Sequence, residues 1–157
     1  MLPNSPNVIM AAERAAELSD KVVRVVRSRS QQAGLTAAVA LAPDREAAEN
    51  AAIMDDVLVH LRIGSVAPAA REDVQGRFGV GEAVGFADDE IVAWGKPRKT
   101  LAAVLLSLGR DAELITCISG EGAPLSADEV AGLVTDGLEI EVEYGGQANY
   151  WWLLAAE

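Results

Sequence analysis

The sequence predicts an α/β fold: a partial parallel α/β layer followed by a second, α+β lobe with a mixed sheet and a β-meander. Three observations carry this. First, apolar residues at helical spacing (Val8, Ala11, Ala12, Ala15, Leu18) feed directly into a nearly continuous β-branched run, Val22–Val26. Second, the texture changes at about residue 64, where glycines at 76, 79, 81 and 85 punctuate short apolar runs. Third, "LEIEVEYG" alternates apolar and acidic residues, as a half-exposed strand does. The expected division is therefore residues 1–63, a Rossmann-like lobe lacking its first strand, and residues 64–157, the mixed-sheet lobe.

The elements follow in order. Asn4-Ser5-Pro6-Asn7 has turn chemistry, with Asn7 placed to cap the first helix. Ser19-Asp20-Lys21 ends that helix, and Val22–Val26 reads as a strand. Arg27–Gln32 is a second polar loop. Ser30 is placed to cap a helix through Leu35 and Val39, which Pro43-Asp44 breaks. A further helix is expected from about Arg45 to Arg62, closed by Gly64.

In the second lobe, Val66–Val74 reads as a strand and "AVGFADDEIVAW" as a hairpin turning at Ala87-Asp88-Asp89. Arg98–Leu108 returns to helical spacing, and "AELITCIS" is a buried strand. Ser126 followed by Glu129 forms a capping box for a helix to about Val134. Gly145-Gly146-Gln147 turns the chain into "NYWWLLAAE".

Composition limits the function. A net charge of −11 with no basic stripe argues against nucleic acid. The single cysteine, Cys117, permits no internal disulfide. No apolar run approaches the ~18 residues of a membrane helix, and no secretory signal is read. The expected location is cytoplasmic.

Catalytic signatures are sparse. No phosphate loop ending in Lys-Ser/Thr occurs, and "GRFGVGEAVG" leads into a strand rather than a helix, so no helix N-terminus meets a phosphate. His60 reads as an ordinary helix residue and Cys117 as buried and inert. Asp55-Asp56 and Asp88-Asp89 read as solvated pairs. No G-x-S-x-G elbow is present.

The two polar loops are better candidates. In parallel α/β layers, the loops beyond the carboxyl ends of strands line the ligand crevice. With Leu2-Pro3 and Val22–Val26 as such strands, Asn4, Asn7, Ser28, Ser30 and Gln31 share one rim. Uncharged donors and acceptors there suit a carboxylate, a phosphate or a partner's backbone; ordinary turn and cap duty is the alternative. Gln147, Tyr150 and Trp152 in the aromatic tail are a second candidate contact surface.

These stretches also carry a family resemblance. "LPNSPNVIMAAERAAELSDKVVRVVRSRSQQAGLTA", "GFADDEIVAWG" and "EVEYGGQANYWWLLAAE", in this order, resemble the C-terminal, DegV-like region of the catalytic component of bacterial fatty acid kinase, of the dihydroxyacetone-kinase-like family. The resemblance implies a non-catalytic portion of a kinase whose separate kinase domain binds ATP with magnesium; this chain itself needs no cofactor. It implies a fatty-acid-binding DegV-like partner, whose bound fatty acid is phosphorylated on its carboxylate to an acyl phosphate. Departures occur at Arg27-Ser28-Arg29-Ser30, where relatives carry a proline-containing loop, and at Ala148, where relatives often have proline. The alternative is a stand-alone small-ligand-binding protein, or an enzyme acting on an acyl or phosphate group. If the Val22–Val26 layer exposes an edge, a homodimer is expected to cover it.

Overall fold

The computed structural model describes residues 1–134 and 137–157, and the chain forms two compact units, Met1–Leu61 and Arg62–Glu157.

In the smaller unit a 3-10 turn, Pro6–Val8, runs into helix α1, Ile9–Glu17. Ser5, not Asn7, caps this start: its Oγ accepts the Asn7 backbone N–H at 3.3 Å. The reason is Pro6, which occupies the first helical position, where a missing N–H costs nothing, and so moves the cap upstream. Helix α2, Gln31–Val39, is capped as expected, Ser30 Oγ accepting from the Ala33 N–H at 3.2 Å. Helix α3 spans Ala47–His60. Buried Asn50 fastens the preceding loop to it: the side-chain amide donates to the Ala42 and Arg45 carbonyls and accepts from the Ala42 N–H.

The Val22–Val26 segment is extended but forms no strand. Its backbone makes two bonds to the chain start: the Met1 amino group donates to the Arg24 carbonyl (2.6 Å), and the Val26 N–H to the Met1 carbonyl (2.9 Å). That is the bonding of a parallel pair, one rung long, which is too short to propagate as a ladder. The buried apolar centre of this unit is correspondingly small: Val26, Ala37 and Met54, with Leu2, Ala51 and Leu58 against them.

The larger unit holds a six-stranded sheet in the order β3-β2-β1-β6-β4-β5. Strand β1 is Arg62–Pro68, β2 Ala83–Ala87 and β3 Glu90–Gly95, the expected antiparallel meander. The hairpin turns at Asp88 and Asp89, both with positive φ (48° and 69°), the signature of a type I′ turn. β1 begins earlier than the sequence suggests and stops at Pro68. Gly64 lies inside it rather than closing α3, because the backbone there must approach α4 (Pro97–Leu108): a Cβ at 64 would lie 2.7 Å from Leu108 and 2.9 Å from Val104.

Strand β4 (Leu114–Ser119) pairs parallel with β5 (Glu139–Tyr144) across α5 (Ala127–Ala131), whose capping box at Ser126 and Glu129 is intact. Strand β6, Trp152–Ala156, lies antiparallel between β1 and β4. Helix α4 buries Leu101, Val104, Leu105 and Leu108 against Val66, Ile115, Cys117, Trp152 and Leu154. No helix among the described residues is long and apolar enough to cross a membrane.

Candidate functional site

In the smaller unit the two polar loops do meet. Ser28 Oγ lies 3.0 Å from the Pro3 carbonyl and 3.3 Å from Asn4 Oδ1, with a hydroxyl proton to donate to one of them. The Asn4 oxygen also lies over α2, where a Cβ at position 34 would come within 2.1 Å of it, so Gly34 is required for this approach. Arg29 sits at φ 60°, which turns the chain sharply between Ser28 and the Ser30 cap. Asn4, Ser28 and Ser30 are thus one cluster. Asn7 and Gln31 are exposed beside it, Asn7 in the 3-10 turn and Gln31 at the first position of α2.

The cluster differs from the expected open rim in one respect. Ser28 is 3% exposed, so its hydroxyl knits the loops together and is not presented outward. The polar groups that face solvent here are those of Asn4, Asn7 and Gln31.

In the larger unit, the tail residues separate into structural and surface roles. Gln147 donates its side-chain amide to the Ile118 carbonyl at 2.8 Å, tying the last turn to the end of β4. Trp152 is fully buried, which corrects its expected place on a contact surface. The cause is register: Trp152 pairs with Val66 and Ser119, on the sheet face that α4 covers. Its neighbour Trp151 is half-buried and edge-on to it at 6.1 Å. Tyr150 remains 37% exposed.

Tyr150 and Asn149 form one rim of a groove of about 460 Å³, floored by Ala67, Val84, Phe86 and Ile91. Its wall is the loop from Ala69 to Glu82, closed at its base by backbone bonds from Ala69 N–H to the Glu82 carbonyl and from Gly81 N–H to the Ala69 carbonyl. Within the loop Asp73 receives two bonds from the Arg77 guanidinium, at 2.8 and 3.0 Å. This bidentate contact lowers the Asp73 pKa to about 2. The same guanidinium lies 5.5 Å from the Trp94 ring and 5.8 Å from the Phe78 ring. Sequence reasoning missed this arrangement. Its local signal is Asp73 and Arg77 four apart in a glycine-bearing loop; Trp94, on β3, comes from the hairpin beyond.

Reactive groups are few. Cys117 is buried and its thiol is pushed up to about 12 by desolvation. Among the described residues no three His, Cys, Asp or Glu side chains converge as a metal site would need.

Comparison with known proteins agrees with this architecture. Residues 1–157 match the FakA-like C-terminal family model, which describes the C-terminal region of fatty acid kinases. Protein YloV of Bacillus subtilis is 30% identical over the whole chain, as is an uncharacterized protein of Staphylococcus aureus (strain USA300). The chain spans 30% of the length of these relatives. Among solved structures, a DegV family protein from Eubacterium eligens loaded with heptadecanoic acid shares the fold at TM-score 0.65 and 16% identity, covering 99% of this chain and 71% of that one. A DegV family protein from Corynebacterium glutamicum gives 0.61 at 19% identity, covering 99% and 73%. The fold is thus that of DegV-family α/β proteins, and the chain belongs to the FakA-like C-terminal family of fatty acid kinases.

Proposed function

We propose that this chain is the partner-docking part of a fatty acid kinase and performs no phosphoryl transfer itself. The observation that carries the reading is the family match over the entire chain, residues 1–157. In this reading a separate kinase domain supplies ATP and magnesium, and a DegV-like fatty-acid-binding protein supplies the fatty acid. This chain brings the two together, so that the carboxylate is converted to an acyl phosphate within the cytoplasm. Asn4, Asn7 and Gln31 are the outward polar groups of the loop cluster available to a partner.

The test is reconstitution. Kinase domain, fatty-acid-loaded DegV-like protein and ATP are mixed with and without this chain, joined to the kinase domain as in its longer relatives. Acyl phosphate formation that requires the chain, with direct binding between the chain and the DegV-like protein, supports the reading. Equal turnover without it defeats the reading.

A second reading is favoured by the groove of the larger unit. About 460 Å³ with an apolar floor and polar Tyr150 and Asn149 at the rim suits a small amphipathic ligand such as an acyl chain. Displacement of a fluorescent fatty acid from the isolated chain, lost on Phe86→Asp, supports it; no binding at micromolar chain removes it.

A further inference from the structure

We propose that the β3 end of the larger unit, built from Trp94, Arg77, Lys96 and Lys99, is the surface that receives the fatty-acid-binding partner, and that the partner presents carboxylates around an apolar hollow to it. This rests on the docking reading above and names the surface that reading leaves open.

Charge is the first argument. The chain carries 13 basic and 24 acidic residues. Against that background Lys96, Arg98 and Lys99 fall within four consecutive positions, interrupted only by Pro97, and no acidic residue lies in the first turn of α4. Arg98 leans toward Glu129 at 3.7 Å; Lys96 and Lys99 are exposed and make no ion pair among the described residues. Cations at a helix N-terminus oppose the macrodipole and cost stability there. Lys96, at the cap position, also makes no side-chain cap bond. Folding does not account for this local positive field, and an acidic partner surface does.

The second argument is a rigid aromatic–arginine unit beside it. Trp94 is 45% exposed and is separated from Lys96 only by Gly95. Arg77 is stacked on Trp94 and Phe78 and locked by Asp73. Trp and Arg dominate protein interfaces energetically, and side chains already fixed in place lose little entropy on binding. β3 is also the terminal strand of the sheet, so this edge is approachable.

The experiment measures binding of the chain to a fatty-acid-loaded DegV-like protein by calorimetry at about 50 and about 300 mM NaCl, where screening of exposed charges differs strongly. The unaltered chain is expected to bind more tightly at low salt. Lys96→Glu with Lys99→Glu is expected to weaken binding about tenfold or more and to abolish the salt dependence. Trp94→Ala is expected to weaken it about tenfold. Tyr144→Ala, on β5 at the far end of the strand order, leaves binding unchanged, and thermal unfolding verifies that each variant is folded. Wild-type affinity and salt response in the double lysine variant would overturn the proposal while leaving the docking reading intact. Capture of the chain by phosphatidylglycerol vesicles, lost in that variant while partner binding persists, would overturn it in favour of a membrane surface. No binding by the unaltered chain would remove both readings.

Discussion

Gln147 and Ile118 join the last turn of the chain to the end of β4 through one bond, from the Gln147 side-chain nitrogen to the Ile118 carbonyl at 2.8 Å. The backbone around it is equally engaged, the Gln147 carbonyl accepting from the Glu121 N–H at 3.0 Å. The Gly-Gly-Gln turn is therefore a fastening, in which Gly146 supplies a positive φ of 67°. Gln147→Ala is expected to cost about 1–2 kcal/mol, the cost of leaving a part-buried carbonyl without its partner. Urea unfolding measures this, and partner binding by the folded variant should be unaffected.

Gly120 lies under the same turn. A Cβ at this position would come 1.9 Å from the Tyr150 carbonyl and 2.5 Å from the Gln147 carbonyl, both backbone atoms that cannot swing aside. Gly120→Ala is expected to destabilise the larger unit by about 3 kcal/mol. Gly34→Ala provides the contrast. There the obstacle is the Asn4 side chain, which can rotate, and alanine gains about 1 kcal/mol of helix propensity over glycine. The expected outcome is near-neutral stability with Asn4 displaced, visible as a shift of its side-chain amide resonances.

Asp73 makes the wall of the groove acid-sensitive. Its pKa is lowered to about 2, first by the side-chain bonds from Arg77, against an ordinary value near ~3.9. Because the folded value is the lower one, the Asp73 contribution is present above about pH 4 and is lost as pH falls through about 2. Loss of the pair frees Arg77 from its place over Trp94. The fluorescence of Trp94, isolated by replacing Trp151 and Trp152 with Phe, should therefore change across that window. Asp73→Asn should remove the transition.

Cys117 titrates in the opposite sense. Burial pushes its thiol up to about 12, so the folded chain keeps the proton that the unfolded chain releases near ~8.5. Stability from this residue is complete below about pH 8.5 and declines as pH rises toward about 12. Labelling by a thiol reagent at pH 8 should be slow and should follow the unfolding rate, and Cys117→Ala should flatten the alkaline decline.

Local rules explain which parts of this fold were legible. The Asp88-Asp89 hairpin, the Ser126–Glu129 capping box and the Ser30 cap each depend on residues within a few positions of one another, and all three stand as read. Features decided by distant partners were not legible. Val22–Val26 has the composition of a strand, yet only Met1 bonds to it through the backbone. β1 begins at Arg62 because Ala156 and Asp88 meet it there. Arg77 finds Trp94 through β-pairing that no local pattern encodes. At the loop cluster, residue chemistry identified Asn4, Ser28 and Ser30 correctly as neighbours, but only the packing of Gly34 and Pro3 shows that Ser28 turns inward.

Trp152 shows the same limit and gives a sharper test. Strand periodicity places Trp151 and Trp152 on opposite faces, and the register with Val66 sends Trp152 into the α4 side. There its ring is fully buried and its Nε1 has no hydrogen-bond partner. A buried donor without a partner detracts from stability, whereas the ring adds to it. Trp152→Phe removes the stranded N–H together with part of the ring, so the two effects oppose and the expected change is under about 2 kcal/mol. Trp152→Ala leaves a cavity and should cost about 3–5 kcal/mol. Any loss of partner binding in Trp152→Ala should then track its unfolded fraction. Binding lost while thermal unfolding stays at the wild-type temperature would place Trp152 on the surface and contradict the burial described.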